Sequence, residues 1–109
     1  MFTTSGAAYD PRMFRHIVLL TFTDDTGDEA VQQVVDQLRT LPSRIPAIRS
    51  YTVGRDAGLA DGNAHLSAVA DFDDVAGYLE YRDHQAHQDV IATYIRPVLA
   101  GRSAIQYEF

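Results

Sequence analysis

Histidine and tyrosine are the residues of this chain best suited to chemistry, and their spacing concentrates them in one stretch. Four histidines stand at positions 16, 65, 84 and 87, and the six tyrosines include Tyr78, Tyr81 and Tyr94. Neutral imidazole takes up a proton near neutral pH, and a phenol donates a hydrogen bond to an oxygen gaining negative charge. The text YLEYRDHQAH therefore sets two phenols just ahead of two imidazoles. His84 and His87, three residues apart in a segment patterned as helix, can face the same region, as a metal pair or a proton-transfer pair requires. Two imidazoles do not complete a metal site, so no metal is assigned, and surface histidines flanking a helix start are the plain alternative. His16 interrupts an apolar strand on the parity of Phe14, Val18, Leu20 and Phe22. A buried histidine needs a hydrogen-bond partner, so His16 is either a structural hub or part of a ligand pocket.

Other chemistries lack a motif. The chain has no cysteine, which removes disulfides, thiol nucleophiles, iron–sulfur clusters and zinc–thiolate sites together. Gly58 and Gly62 in DAGLADGN form neither a phosphate-binding loop nor a dinucleotide fingerprint. Asp71, Asp73 and Asp74 crowd a strand-to-helix transition, where capping explains them. Ser43, Ser50, Ser67 and Ser103 have no nucleophile motif around them. With 15 acidic against 9 basic residues and a net charge of −6, the chain has no electropositive footprint for nucleic acid. No apolar run approaches transmembrane length, and the opening MFTTSGAAYDPRMF lacks the basic and apolar regions of a signal peptide, so the expected location is cytoplasmic.

The elements that must position these side chains can be read from periodicity. At 109 residues and 46% hydrophobic, the chain suits one domain. Residues 1–12 read as a flexible N-terminal extension, and residues 13–109 as the domain. Phe14 to Thr23 is a strand with apolar residues on both parities. Thr26 and Glu29 have capping-box spacing for a helix from about Gly27, whose apolar positions Ala30, Val31, Val34, Val35, Leu38 and Leu41 end before Pro42. Strands follow from about Ala47 to Arg55 and from Ala64 to Phe72, separated by a turn-rich loop. Asp73 or Asp74 caps a short helix, and a further helical stretch places Val90, Ile91, Tyr94 and Ile95 on one side before Pro97. Gly101 opens a last strand in which Ser103, Ile105, Tyr107 and Phe109 share a parity.

The order is βαββαβ, an α+β ferredoxin-like subunit with an antiparallel sheet. Its helices can cover only one face of that sheet. Apolar and aromatic residues on the other face point to a second copy as the cover, giving a homodimer that forms a dimeric α+β barrel.

The pieces FRHIVLLTF, LPSRIPAIRSYTVGRD, VADFDDVAGYLEYRDHQAHQDVIATYIRP and IQYEF, taken together from Met13 to Phe109, resemble the Dabb family of stress-responsive A/B-barrel domains. The resemblance implies a subunit that dimerises through its sheets and holds a pocket between sheet and helices. The chemical parallel within the family is with plant-type polyketide cyclases, which carry an HPAH-like segment. It implies His87 as the catalytic histidine, Tyr81 as the tyrosine acting with it and His16 as the first-strand pocket histidine. His84 matches the first histidine of the segment, Gln85 standing where a proline is usual, and lines the substrate pocket with Tyr78 and Tyr94. The implied reaction is an intramolecular aldol-type cyclisation of a poly-β-keto substrate without cofactor. His87 would move the proton, Tyr81 would orient or stabilise the oxygen charge, and His16 would help hold the substrate. Two alternatives stand beside it: a non-catalytic, stress-associated dimer that binds an apolar or aromatic small molecule, and a cofactor-independent oxygenase acting on an aromatic or anthrone-like substrate.

Overall fold

The computed structural model describes residues Met13 to Phe109; the N-terminal extension expected over residues 1–12 lies outside the described residues. Strand β1 spans Phe14–Phe22, helix α1 Asp28–Arg39, β2 Ser50–Arg55, β3 Leu66–Phe72, α2 Val75–Asp83, α3 Gln85–Val90 and β4 Leu99–Glu108. All strand pairs are antiparallel, in the order β2-β3-β1-β4. This is the α+β ferredoxin-like arrangement that the sequence pattern predicts.

Helix α1 forms because its apolar residues recur at helical spacing, and Val31, Val34, Val35 and Leu38 are buried against the sheet. Asp28 and Glu29 in its first turn and Arg39 in its last complement the helix dipole. The expected capping box does not form: Gly27 is the N-cap and no side chain caps the helix. The helix starts one residue later than that spacing requires, and the Thr26 hydroxyl donates to the Thr23 hydroxyl at 2.7 Å, which in turn donates to Asp25. The helix stops at Arg39, and Leu41, the last expected helical apolar residue, is fully buried in a separate 3-10 turn, Leu41–Ser43. Strand β2 starts at Ser50 rather than near Ala47, because the chain before it turns again, with the Ile48 N–H donating to the Ile45 carbonyl.

Asp74 is the residue that caps α2, its carboxylate accepting from the Gly77 N–H at 2.9 Å. Gly77 also lets α2 lie close on the sheet, since a Cβ there would stand 3.2 Å from the Cβ of Phe72. After α3 the chain widens into a π-helical turn, Ile91–Ile95, in which the Arg96 N–H reaches back to the Ile91 carbonyl. Pro97 follows in a 3-10 turn that ends the helical run. Strand β4 begins at Leu99, ahead of Gly101, and its pairing with β1 shifts register between Thr21 and Phe22, so that Ala100 forms a bulge.

Register separates the two faces of the sheet. Phe14, His16, Val18, Leu20 and Phe22 face the helices, with Tyr51 and Val53 of β2, Leu66, Ala68, Ala70 and Phe72 of β3, and Arg102 and Gln106 of β4 in the same rows. The opposite face carries the row Thr52, Val69, Ile17 and Ile105, beside Leu19 and Tyr107. Among the described residues nothing covers this face, and Leu19, Ile105 and Tyr107 are 41%, 59% and 39% exposed. At one end Arg15 forks onto Asp71, with Nε 2.7 Å and a terminal nitrogen 2.9 Å from the two carboxylate oxygens, and the Ser50 hydroxyl also donates to it. The guanidinium stands 4.4 Å above the Phe109 ring.

Candidate ligand cavity between sheet and helices

The centre of the sheet is small where the helices cross it. Ala70 of β3 sits between Tyr51 and His16 in one cross-strand row, with Gln106 on the far side of His16. Ala68, opposite Val18 in the neighbouring row, lines a cavity of about 220 Å³ that opens beneath α2, α3 and the π-helical turn. His16, Tyr51, Tyr78, Tyr81, His87 and Arg102 supply its chemistry, and Val18, Leu20, Leu38, Ile91 and Ile95 are among the apolar side chains that line the rest.

His16 is buried, at 5% exposure, and its Nδ1 lies 2.9 Å from the Gln106 amide nitrogen. With that nitrogen donating, Nδ1 accepts and the ring carries its proton on Nε2. The same amide nitrogen donates to the Tyr78 hydroxyl at 3.3 Å. Burial, with the positive charge of Arg102 and then His87 adding to it, pushes the His16 pKa down to about 4, so the ring is neutral at ordinary pH.

His87 stands at the other side. The helix breaks at His84, so the carbonyl of Arg82 at the end of α2 has no helical partner to accept from; His87 Nδ1 donates to it across 3.1 Å and the Gln88 amide across 2.6 Å. Nδ1 is thereby committed as a donor, and Nε2 holds the lone pair. Burial lowers the His87 pKa, against the Arg82 carbonyl that raises it, and Arg102 and His84 lower it further. The ring packs on Tyr81 with centroids 4.1 Å apart. Tyr81 is buried and shares a hydrogen bond with Tyr51, hydroxyl to hydroxyl, at 3.0 Å. Burial raises both phenols, Tyr51 to about 12, so they stay protonated, and one hydroxyl hydrogen of the pair is left over to donate.

The fold thus brings His16, Tyr78, Tyr81 and His87 to one cavity and leaves His84 and Tyr94 outside its lining. His84 does not share a helical face with His87, because it is the N-cap of α3 in extended backbone; its Nδ1 accepts from the Ala86 N–H at 3.0 Å. Tyr94 packs, half-buried, against the core. Sequence reasoning missed Tyr51, Arg102 and Gln106. The signal was strand parity: Arg102 and Gln106 alternate with Ser103, Ile105 and Tyr107, and Tyr51 shares a parity with buried Val53. His65 is structural, its Nδ1 accepting from the Phe22 N–H at 2.9 Å. Among the described residues no group of three or more histidine, aspartate or glutamate side chains is arranged to hold a metal ion. No described helix is long and apolar enough to cross a membrane.

Residues 14–109, every element from β1 to β4, match the family model of the Stress responsive A/B Barrel Domain. The chain belongs to the Dabb family. A dimeric ferredoxin-like protein from Thermobifida fusca, of unknown function, is 38% identical to this Dabb chain, with a TM-score of 0.83 over 93% of this chain and 94% of the other. A second dimeric protein of ferredoxin-like fold, from Bacteroides fragilis, is 25% identical with a TM-score of 0.77, covering 89% of this chain and 96% of the other. The hydroxynitrile lyase of Passiflora edulis superposes with a TM-score of 0.80 over 92% of this chain and 95% of its own. At 16% identity that likeness shows the Dabb fold alone. No curated protein matches the chain by sequence.

Proposed function

We propose that this Dabb chain is a homodimer whose subunits each bind one small apolar or aromatic molecule in the cavity between sheet and helices. The observation that carries the reading is the cavity: about 220 Å³, walled largely by aliphatic and aromatic side chains, with neutral His16 and His87, protonated Tyr51 and Tyr81, Gln88 and two arginines among its polar groups. A cavity of about 150 Å³ already accommodates benzene, so this one suits a single substituted ring. That size favours a compact ligand over a long poly-β-keto chain. Dimerisation is supported by the uncovered apolar row through Val69, Ile17 and Ile105 and by the dimeric description of the Thermobifida fusca relative.

Thermal unfolding with phenol as the probe tests the pocket. Phenol should raise the Tm of the wild type and leave unchanged that of Ala68→Leu, in which the new side chain fills the cavity. No shift, or an equal shift in both proteins, contradicts the reading.

One observation favours a catalytic reading beside it. His87 donates through Nδ1 and keeps the Nε2 lone pair, in contact with Tyr81, which is what a general base beside an oxygen-stabilising phenol requires. The aldol-type cyclisation rests on that pair, whereas the aromatic oxygenation rests on the apolar pocket stabilising a substrate anion. Oxygen uptake and ring formation, measured with single-ring substrates on wild type and His87→Ala, separate binding from turnover.

A further inference from the structure

The charge pattern of the cavity goes further than its size. Two arginines, Arg82 and Arg102, line it and no aspartate or glutamate does. They are not equivalent. The Arg82 guanidinium is held by Asp83, with nitrogen–oxygen distances of 2.9 and 3.1 Å. Arg102 has no carboxylate or hydrogen-bond partner among the described residues. It stands across the β1–β4 ladder from Leu20, on the side of the sheet that carries His16 and Gln106. Its charge is felt inside, where it helps hold both His16 and His87 neutral. In a chain of net charge −6, a cation without a partner among the described residues, at a cavity that no carboxylate lines, is a local reversal of sign.

The remaining polar groups have the same polarity. His16 offers its Nε2 hydrogen, the Tyr78 hydroxyl accepts from Gln106 and keeps its own hydrogen to donate, and the Tyr51–Tyr81 pair has one donor left over. His87 Nε2 is the one imidazole lone pair not already engaged. A cavity rich in donors, with two arginines of which one is free of a described carboxylate and with no carboxylate in its lining, fits a ligand rich in acceptors.

Resting on the reading of the cavity as a ligand site, we propose that it takes its ligand as an anion, an oxyanion carried on a single apolar ring, with Arg102 as the counter-charge. Guanidinium pairs with carboxylate through two parallel hydrogen bonds and with phenolate through one, and either anion leaves the ring for the apolar wall.

Calorimetric titration of the intact protein at mildly alkaline pH tests this with two pairs of similar size, benzoate against the isosteric benzamide and 4-nitrophenolate against nitrobenzene, which lacks only the charged oxygen. The expected result is that at least one anion binds about tenfold more tightly than its neutral partner, a difference that ion pairing partly shielded from water supplies. Which pair shows it distinguishes a carboxylate from a phenolate ligand. In Arg102→Gln the preference should vanish while the neutral compound binds as before, and Arg102→Lys should restore part of it. Arg55→Gln removes the same charge from a surface pair with Asp28 and should leave the preference intact. Because Arg102 is exposed, its variants should keep the wild-type Tm. Equal binding of anion and neutral compound overturns the proposal and leaves the apolar pocket standing; so does a preference that survives in Arg102→Gln. No binding of any of the four compounds overturns both.

Discussion

Gln106 faces His16 directly across the β1–β4 ladder, and its amide nitrogen lies 2.9 Å from His16 Nδ1 and 3.3 Å from the Tyr78 hydroxyl. One side chain from the last strand thereby fixes the tautomer of a buried histidine on the first and the hydroxyl orientation of a tyrosine on α2. His16 Nε2–H and the Tyr78 O–H are both left to donate into the cavity.

Replacing this side chain by one of similar volume without the amide, Gln106→Leu, leaves His16 Nδ1 buried without a donor. An unsatisfied buried acceptor costs about 1–3 kcal/mol. We expect a loss of stability in that range by urea unfolding, together with a changed His16 tautomer in its imidazole nitrogen shifts. Unchanged stability and shifts would mean that the amide does not set the ring.

The pKa of His16 predicts how stability depends on pH. Folding lowers it from 6.5 to about 4, so between these values the unfolded chain binds more protons than the native one. Stability should be fully present above about 6.5 and fall as pH drops toward 4. A shift of this size corresponds to roughly 3 kcal/mol. His87 adds in the same direction. The Asp71 pKa, held below 3.8 chiefly by the Arg15 hydrogen bond, adds a loss at still lower pH. In His16→Phe the slope between about 4 and 6.5 should flatten when unfolding midpoints are compared across pH.

His84 and His87 should separate cleanly. His84→Ala removes the cap of α3, for which about 1 kcal/mol is typical, and should leave ligand affinity unchanged. His87→Ala should weaken ligand binding in calorimetric titration, because the ring is part of the cavity wall. Equal effects of the two on binding would contradict this division of roles.

The uncovered sheet face carries its own test. Ile105 is 59% exposed and sits in the row with Ile17 and Val69. Ile105→Arg places a charge where the partner subunit is expected, and light scattering should report a monomer in place of the wild-type dimer. An unchanged dimer would mean that the subunits meet elsewhere.

How much of this was legible in the sequence depended on the range of the interactions. Strand β1 was, because apolar residues on both parities leave no solvent face, and α1 was, because four buried residues repeat at helical spacing. The capping box at Thr26 does not form because the helix begins one residue later, with Gly27 as its N-cap, and spacing alone does not fix that boundary. Treating HQAH as one helix put His84 beside His87, whereas His84 caps α3 in extended backbone and turns its ring onto the Ala86 N–H. His16, Tyr78, Tyr81 and His87, which line the cavity, could be singled out because each stands out among its near neighbours in the chain. Gln106, Arg102 and Tyr51 were not, because a polar residue on an edge strand gains meaning only from its neighbour across the sheet, and β4 meets β1 from the far end of the chain.

The most direct test of a ligand cavity built around His16 and His87 is a titration with phenol followed through the imidazole nitrogen signals of all four histidines. His16 and His87 should shift together and saturate, while His84 at its cap and His65 against Phe22 stay where they are. Shifts confined to His84 or His65, or none at all, would contradict it.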